Sequence, residues 1–207
     1  MINQNLIVVD YGMGNIWSVL SALRYLGAVP QVSNDPDMVL KADLIILPGV
    51  GSFRKAMETL KSSGLDQAMI EAVKSGGVKI LGICLGMQLL GSHGTEDGEI
   101  DGLGLINNKV NKFTEKELGR NKIPHIGFNS VSLSDKKGLF QNLSDNPDFY
   151  FVHSYRLLPE ELAGRTAICS YGIDFLAAFE VDNICGTQFH PEKSQTNGLI
   201  LLKNFLQ

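Results

Sequence analysis

Three short apolar runs, LIVVD (Leu6 to Asp10), DLIILPG (Asp43 to Gly49) and VKILGIC (Val78 to Cys84), each break off at a glycine-containing turn. Each then gives way to a stretch with apolar residues at helical spacing. A strand that is apolar along its whole length has no face for water, so it belongs inside a sheet covered on both sides. Strands alternating with helices reach such a sheet through right-handed crossovers, which make neighbouring strands parallel. The helical stretches fit this reading. Asn15 is placed to cap a helix running through Leu26, with Ile16, Val19, Leu20, Leu23 and Leu26 on one face. Further helical patterns cover Phe53 to Leu60 and Leu65 to Val73, LGMQLLG leaves the third run as a helix, and Val29 to Val32 reads as another strand.

From Gly104 onward the pattern changes to β-like runs joined by short turns: LINNKVNKF, HIGFNSVSL, FYFVHSYRL, TAICSYG, FLAAFEVD and ICGTQFH. A last helix is expected from about Asn197 to Leu206. The expected fold class is α/β: one three-layer domain over residues 1–207, with a mainly parallel central sheet and an antiparallel extension. Composition narrows the function classes. Apolar residues make up 44% and charged residues 19%, which excludes wholesale disorder. Net charge is −4 and no Lys/Arg block appears, so no nucleic-acid partner is expected. The 3 cysteines are widely spaced without a CxxC pair, which argues against a disulfide framework or a zinc site. No apolar run approaches the ~20 residues that span a bilayer, and the N-terminus lacks the pattern of a signal peptide. A soluble protein of a reducing cytoplasm is expected. The acidic stretch GTEDGEIDGLG (Gly94 to Gly104) does not match a calcium loop and reads as solvated.

Three strand ends hold candidate chemistry. Gly82-Ile83-Cys84-Leu85-Gly86 fits a strand–nucleophile–helix turn, in which flanking glycines let the backbone pass close while the thiol is lifted above the sheet edge. The Leu85 N–H is then free to face an oxyanion. The competing reading is an inert buried cysteine. ICGTQFH ends in His190, followed by Pro191 and Glu192, so a carboxylate two residues on can orient the imidazole as in a triad. An exposed turn with an incidental Glu is the alternative. LPGVGSF brings Gly49, Val50 and Gly51 to a third strand end, as oxyanion donors, as a phosphate cradle without its lysine, or as a plain turn. Of the other histidines, His93 reads as surface, and His125 and His153 read as hydrogen-bonded structural residues. Strand ends of a parallel sheet share one edge, so nucleophile, base and oxyanion donors would meet in one cleft, which implies acyl transfer through a thioester.

PGVG, GICLGMQLL and TQFHPEKS together resemble the class I (triad) glutamine amidotransferases. DYGMGN, PGVGSF, PHIGFN, YFVHSY and the closing LLKNFL narrow the resemblance to the glutaminase subunits of imidazole glycerol phosphate synthase, from end to end of the chain. The resemblance implies a flavodoxin-like fold, Cys84 as nucleophile on L-glutamine, His190 as base and Glu192 as its orienter. It implies an oxyanion hole from backbone at Val50, Gly51 and Leu85, and glutamine binding by Gly49, Gln88, His153, Ser154 and Tyr155. Gln88, four residues beyond Cys84, falls on the same helix face. No cofactor or metal is implied. The implied partner is a (β/α)-barrel cyclase that receives the ammonia, with Asn15, Phe128 and Lys193 as candidates for the interface or ammonia passage. Phe128 departs from the family's PHxGWN pattern and lacks the indole N–H. That departure keeps open a paralogous glutaminase that supplies a sugar-modifying enzyme of surface polysaccharide synthesis. Other classes are a non-catalytic interaction subunit and a partner-independent hydrolase.

Overall fold

The computed structural model describes residues 4–158 and 162–207. The first half lays down β1 (Leu6–Val9), α1 (Ile16–Tyr25), β2 (Gln31–Ser33), α2 (Pro36–Leu40), β3 (Leu44–Gly49), α3 (Phe53–Ser63), α4 (Leu65–Lys74), β4 (Lys79–Cys84) and α5 (Leu85–Leu89). Short strands β5 (His93–Gly94), β6 (Ile100–Asp101) and β7 (Lys109–Lys112) and helix α6 (Glu115–Leu118) follow. The second half contributes β8 (His125–Ser130), β9 (Ser132–Leu133), β10 (Asp148–His153), β11 (Tyr155–Leu157), β12 (Arg165–Tyr171), β13 (Ile173–Val181), β14 (Ile184–Thr187) and α7 (Gln195–Phe205).

The main sheet has 8 strands in the order β2-β1-β3-β4-β14-β13-β12-β9. Pairing is parallel from β2 through β14 and antiparallel beyond it, as the alternation and the later β-rich half imply. The period-2 geometry of a strand divides each apolar run between two cores. Leu6, Val8, Leu44, Ile46, Leu81 and Ile83 pack on one face with Val19, Leu20 and Leu23 of α1 and Leu201, Leu202 and Phe205 of α7. Ile7, Val9, Ile45, Leu47 and Ile80 pack on the other with Phe53, Met57 and Leu60 of α3 and Leu65, Met69 and Val73 of α4. No described helix is long and apolar enough to cross a membrane.

Several expectations shift. The strand expected at Val29 to Val32 forms at Gln31–Ser33, where it pairs with β1. LINNKVNKF yields only Lys109–Lys112, and α2 and α6, too short to show a period, appear between expected elements. Asn15 stands at the N-cap position of α1, but its side chain accepts nothing from the helix; its amide donates to Ser18 Oγ instead (2.9 Å). The acidic stretch is not uniformly solvated either. Gly94 and Ile100–Asp101 lie in strands, and Glu96 Oε2 accepts the Phe53 N–H at the start of α3 (3.0 Å).

Candidate active site

Cys84 is the last residue of β4 and the residue before α5, with φ 55° and ψ −108°. A side chain other than glycine rarely adopts this conformation, and holding it costs about 1–3 kcal/mol. The surrounding backbone enforces it. A Cβ on Gly86 would overlap the Leu47 carbonyl oxygen, and one on Gly82 would lie 2.6 Å from the Gly86 carbonyl oxygen. The glycines therefore let α5 close directly onto β3 and β4. The resulting turn sets the Cys84 sulfur in a cleft of about 340 Å³. Its Sγ lies 4.0 Å from the Val152 carbonyl oxygen and 3.8 Å from Gln188 Nε2. The other two thiols are different in kind: burial pushes Cys169 and Cys185 up to about 12, so they stay protonated.

His190 follows β14, the parallel neighbour of β4, and so emerges beside Cys84 at the same sheet edge. Its backbone is pinned on both sides. Its N–H donates to the Tyr150 carbonyl (2.9 Å), and its carbonyl accepts Ser194 Oγ (2.6 Å). Nδ1 lies 2.8 Å from Glu192 Oε1, with both side chains almost fully buried. Because the carboxylate accepts, Nδ1 carries the proton and Nε2 is the nitrogen left for chemistry. Among the described residues Nε2 has no hydrogen-bond partner of ordinary geometry. Burial opposes charge on this ring, but the Cys84 sulfur and the Glu192 carboxylate outweigh it and raise His190 to about 10.

The cleft gathers most of the residues singled out from the sequence. Val50, Gly51, Leu85, Gln88, His153, Ser154 and Tyr155 line it with Cys84 and His190. Gly49 stands behind them. It pairs with Cys84 across β3 and β4 and is crowded by the Tyr11 hydroxyl, which burial keeps un-ionised. Glu192 lies behind His190 and borders a separate groove with Trp17 and Gln195. The Val50 N–H points away from the cleft, donating to the Met13 carbonyl (3.1 Å). Gln88 Nε2 donates to the Tyr155 carbonyl (2.9 Å) and to Gln188 Oε1 (3.0 Å), which leaves Gln88 Oε1 as the end able to accept from a ligand. His153 and His125 form a buried pair, Nε2 to Nδ1 at 3.0 Å, with His153 Nδ1 donating to the Tyr155 carbonyl (2.8 Å). Burial lowers His125 to about 4 and His153 to about 3, so both are neutral.

Two residues, Glu96 in the cleft and Gln188 buried behind it, carried no signal in the sequence. Glu96, half-buried at its mouth, is raised by burial against the Phe53 N–H that would lower it. Gln188 sits inside a motif whose neighbours attract the eye, and only its contacts reveal it. Phe128 and Lys193 both lie against Tyr150, outside the cleft. The Phe128 ring lies edge-on to the Tyr150 ring (5.6 Å), and Lys193 Nζ lies 5.8 Å from the Tyr150 ring centre. Phe128 is 48% exposed and Ile126 59%, so this is a solvent-facing apolar patch with a cation on it. Among the described residues no cluster of His, Cys, Asp and Glu suits a metal ion.

The parallel part of the sheet thus carries a strained cysteine turn and a buried His–Glu pair on adjacent strand ends, an arrangement suited to a cysteine nucleophile with a general base. Residues 7–207 match the glutamine amidotransferase class-I family, and the chain belongs to it. It is 44% identical to imidazole glycerol phosphate synthase subunit HisH 1 of Parasynechococcus marenigrum, over 96% of this chain and 95% of that protein. It is 42% identical to subunit HisH of Acinetobacter baylyi, over 97% and 96% of the two chains. Among solved structures, a crystal structure of a glutamine amidotransferase shares the fold at a TM-score of 0.75 and 16% identity, covering 97% of this chain and 96% of that one. The structure of PurLQS from Thermotoga maritima does so at a TM-score of 0.71 and 18% identity, covering 98% and 97%.

Proposed function

We propose that this chain is the glutaminase subunit of an imidazole glycerol phosphate synthase, hydrolysing glutamine at Cys84 and delivering ammonia to a (β/α)-barrel cyclase in histidine biosynthesis. The observation that carries the chemistry is the Cys84 turn set against His190 and Glu192. The pathway rests on the 42% and 44% identities to HisH subunits along nearly the whole chain.

The steps follow from the groups present. His190, which the Cys84 sulfur and Glu192 favour in its charged form, holds on Nε2 the proton that Cys84 gives up, while Glu192 holds Nδ1–H and balances the imidazolium. The sulfur attacks the side-chain carbonyl carbon of glutamine, and the C–N bond breaks as His190 returns the proton to departing ammonia. Water, deprotonated by His190, then cleaves the thioester to give glutamate and the free thiol. Leu85 and Gly51 N–H groups receive the oxyanion. Val50 joins them only after its N–H leaves the Met13 carbonyl, so motion of the 49–51 segment gates the hole. Gln88 Oε1 accepts from the substrate, the backbone from His153 to Tyr155 holds it, and the Glu96 carboxylate faces its α-ammonium. The cyclase docks on the face that presents Phe128, Tyr150 and Lys193, and Asn15 is a further candidate contact. The chain works as one domain in the cytoplasm.

The test is reconstitution with a histidine-pathway cyclase and its phosphorylated ribulosyl-aminoimidazole substrate. The expected result is glutamine-dependent formation of imidazole glycerol phosphate and aminoimidazole carboxamide ribotide. Glutaminase activity without cyclisation would instead favour the paralogous supply of ammonia to a sugar-modifying enzyme. Failure of a glutamine-like diazoketone to label Cys84 in the complex would overturn the glutaminase assignment itself.

A further inference from the structure

Gln188 is fully buried two residues before His190, with its backbone N–H held by the Ala177 carbonyl (2.8 Å). Its side-chain amide touches two groups, Gln88 at one end and the Cys84 sulfur at the other. Which end faces which follows from a chain of constraints. The Tyr155 carbonyl can only accept, so the Gln88 atom 2.9 Å from it is the –NH2 group. That –NH2 group can only donate, so the Gln188 atom 3.0 Å from it is Oε1. The Gln188 –NH2 is left facing Sγ at 3.8 Å. One backbone carbonyl thus orients two amides and delivers a donor to the nucleophile.

We propose that Gln188 is a positioning residue for the glutaminase reaction, aiming the Cys84 sulfur and stabilising it once its proton has left. The inference rests on Cys84 being the nucleophile. The sulfur has an acceptor and a donor around it. The Val152 carbonyl, 4.0 Å away, suits a protonated thiol that donates to it, and the Gln188 amide suits a thiolate that accepts. A hydrogen bond to an ionised acceptor is roughly twice as strong as a neutral one, so the Gln188 contact strengthens as the proton passes to His190. Because Gln88 both lines the substrate cleft and holds Gln188 Oε1, a displacement of Gln88 by ligand reaches the sulfur through a single amide.

The experiment uses the chain assembled with its cyclase. Alkylation by iodoacetamide is followed against pH, with Cys84→Ala as background, and kcat and KM for glutamine are measured alongside. Gln188→Met keeps length and bulk but removes the donor. Its alkylation inflection is expected about one pH unit above the parent's, with kcat down about tenfold and KM changed less than about threefold. Gln188→Glu still accepts from Gln88 but turns an oxygen to the sulfur, so its inflection moves at least as far. An inflection and kcat equal to the parent's in Gln188→Met would overturn the proposal. Should that variant fail to fold, Gln88→Leu probes the relay from the other end, because it frees the Gln188 amide to turn. An unmoved inflection there would equally overturn it. A parent complex with neither Cys84-dependent alkylation nor glutaminase activity would instead refute the function proposed above, whatever Gln188 does.

Discussion

Replacing His125 by Phe should change how the stability of this protein depends on pH, by an amount the structure sets. His125 is 2% exposed, stacks on Phe151 (4.7 Å) and Tyr171 (3.9 Å), and donates to His153 Nε2. Burial lowers its pKa from 6.5 to about 4 and that of His153 to about 3. Both rings are neutral in the fold, so their stabilisation is complete above the unfolded value and is lost as pH falls through the folded ones. At about pH 5 the unfolded imidazole is some 1.5 units below its pKa, worth about 2 kcal/mol per ring. His190 works the other way. Raised to about 10, its stabilisation is full below 6.5 and is lost as pH rises through the folded value, so it offsets part of the acid loss. Comparing parent with variant cancels His190 and the carboxylates. His125→Phe leaves His153 Nε2 without its donor, costing about 1–3 kcal/mol at about pH 8. By about pH 5 that deficit should shrink by about 2 kcal/mol, so the two curves converge or cross. Urea unfolding at several pH values measures this directly. A constant difference between the curves would refute the claim that His125 stays neutral inside the fold.

Cys84→Gly should be more stable than Cys84→Ala by about 1–2 kcal/mol, since glycine relieves the φ 55° strain at a smaller entropic cost; thermal or urea denaturation reads the difference, and both variants should be inactive. Gly86→Ala should cost about 3 kcal/mol or more, or abolish folding, because its methyl group would occupy the place of the Leu47 carbonyl; a parental denaturation midpoint would contradict this packing. Glu96→Gln should raise KM for glutamine about 10- to 100-fold with a smaller effect on kcat, because the proposed function sets this cleft carboxylate against the substrate's α-ammonium; steady-state kinetics of the assembled enzyme tests it.

What the sequence determined by itself is the set of features that depend on residues near one another along the chain. The apolar runs of β1, β3 and β4 and the helices after them announce a parallel sheet through periodicity alone. Gly82 and Gly86 spell out the sharp turn around Cys84, and the two-residue spacing from His190 to Glu192 already allows their hydrogen bond. Tertiary structure decided what depends on groups far apart meeting. Glu96 looked like one more acid in a polar loop until the Phe53 N–H captured it across 43 residues. Val50 looked like a ready oxyanion donor, but folding brings the Met13 carbonyl to its N–H. Asn15 had the chemistry of a cap, and Ser18 took its amide instead. Gln188 acquires its orientation from a partner 100 residues away, because an amide's two ends are nearly identical in shape and only the surrounding donors and acceptors tell them apart. Local periodicity and turn chemistry are written in neighbouring residues, whereas the direction of a hydrogen bond in a buried site is set by whichever groups the packed chain places at its ends.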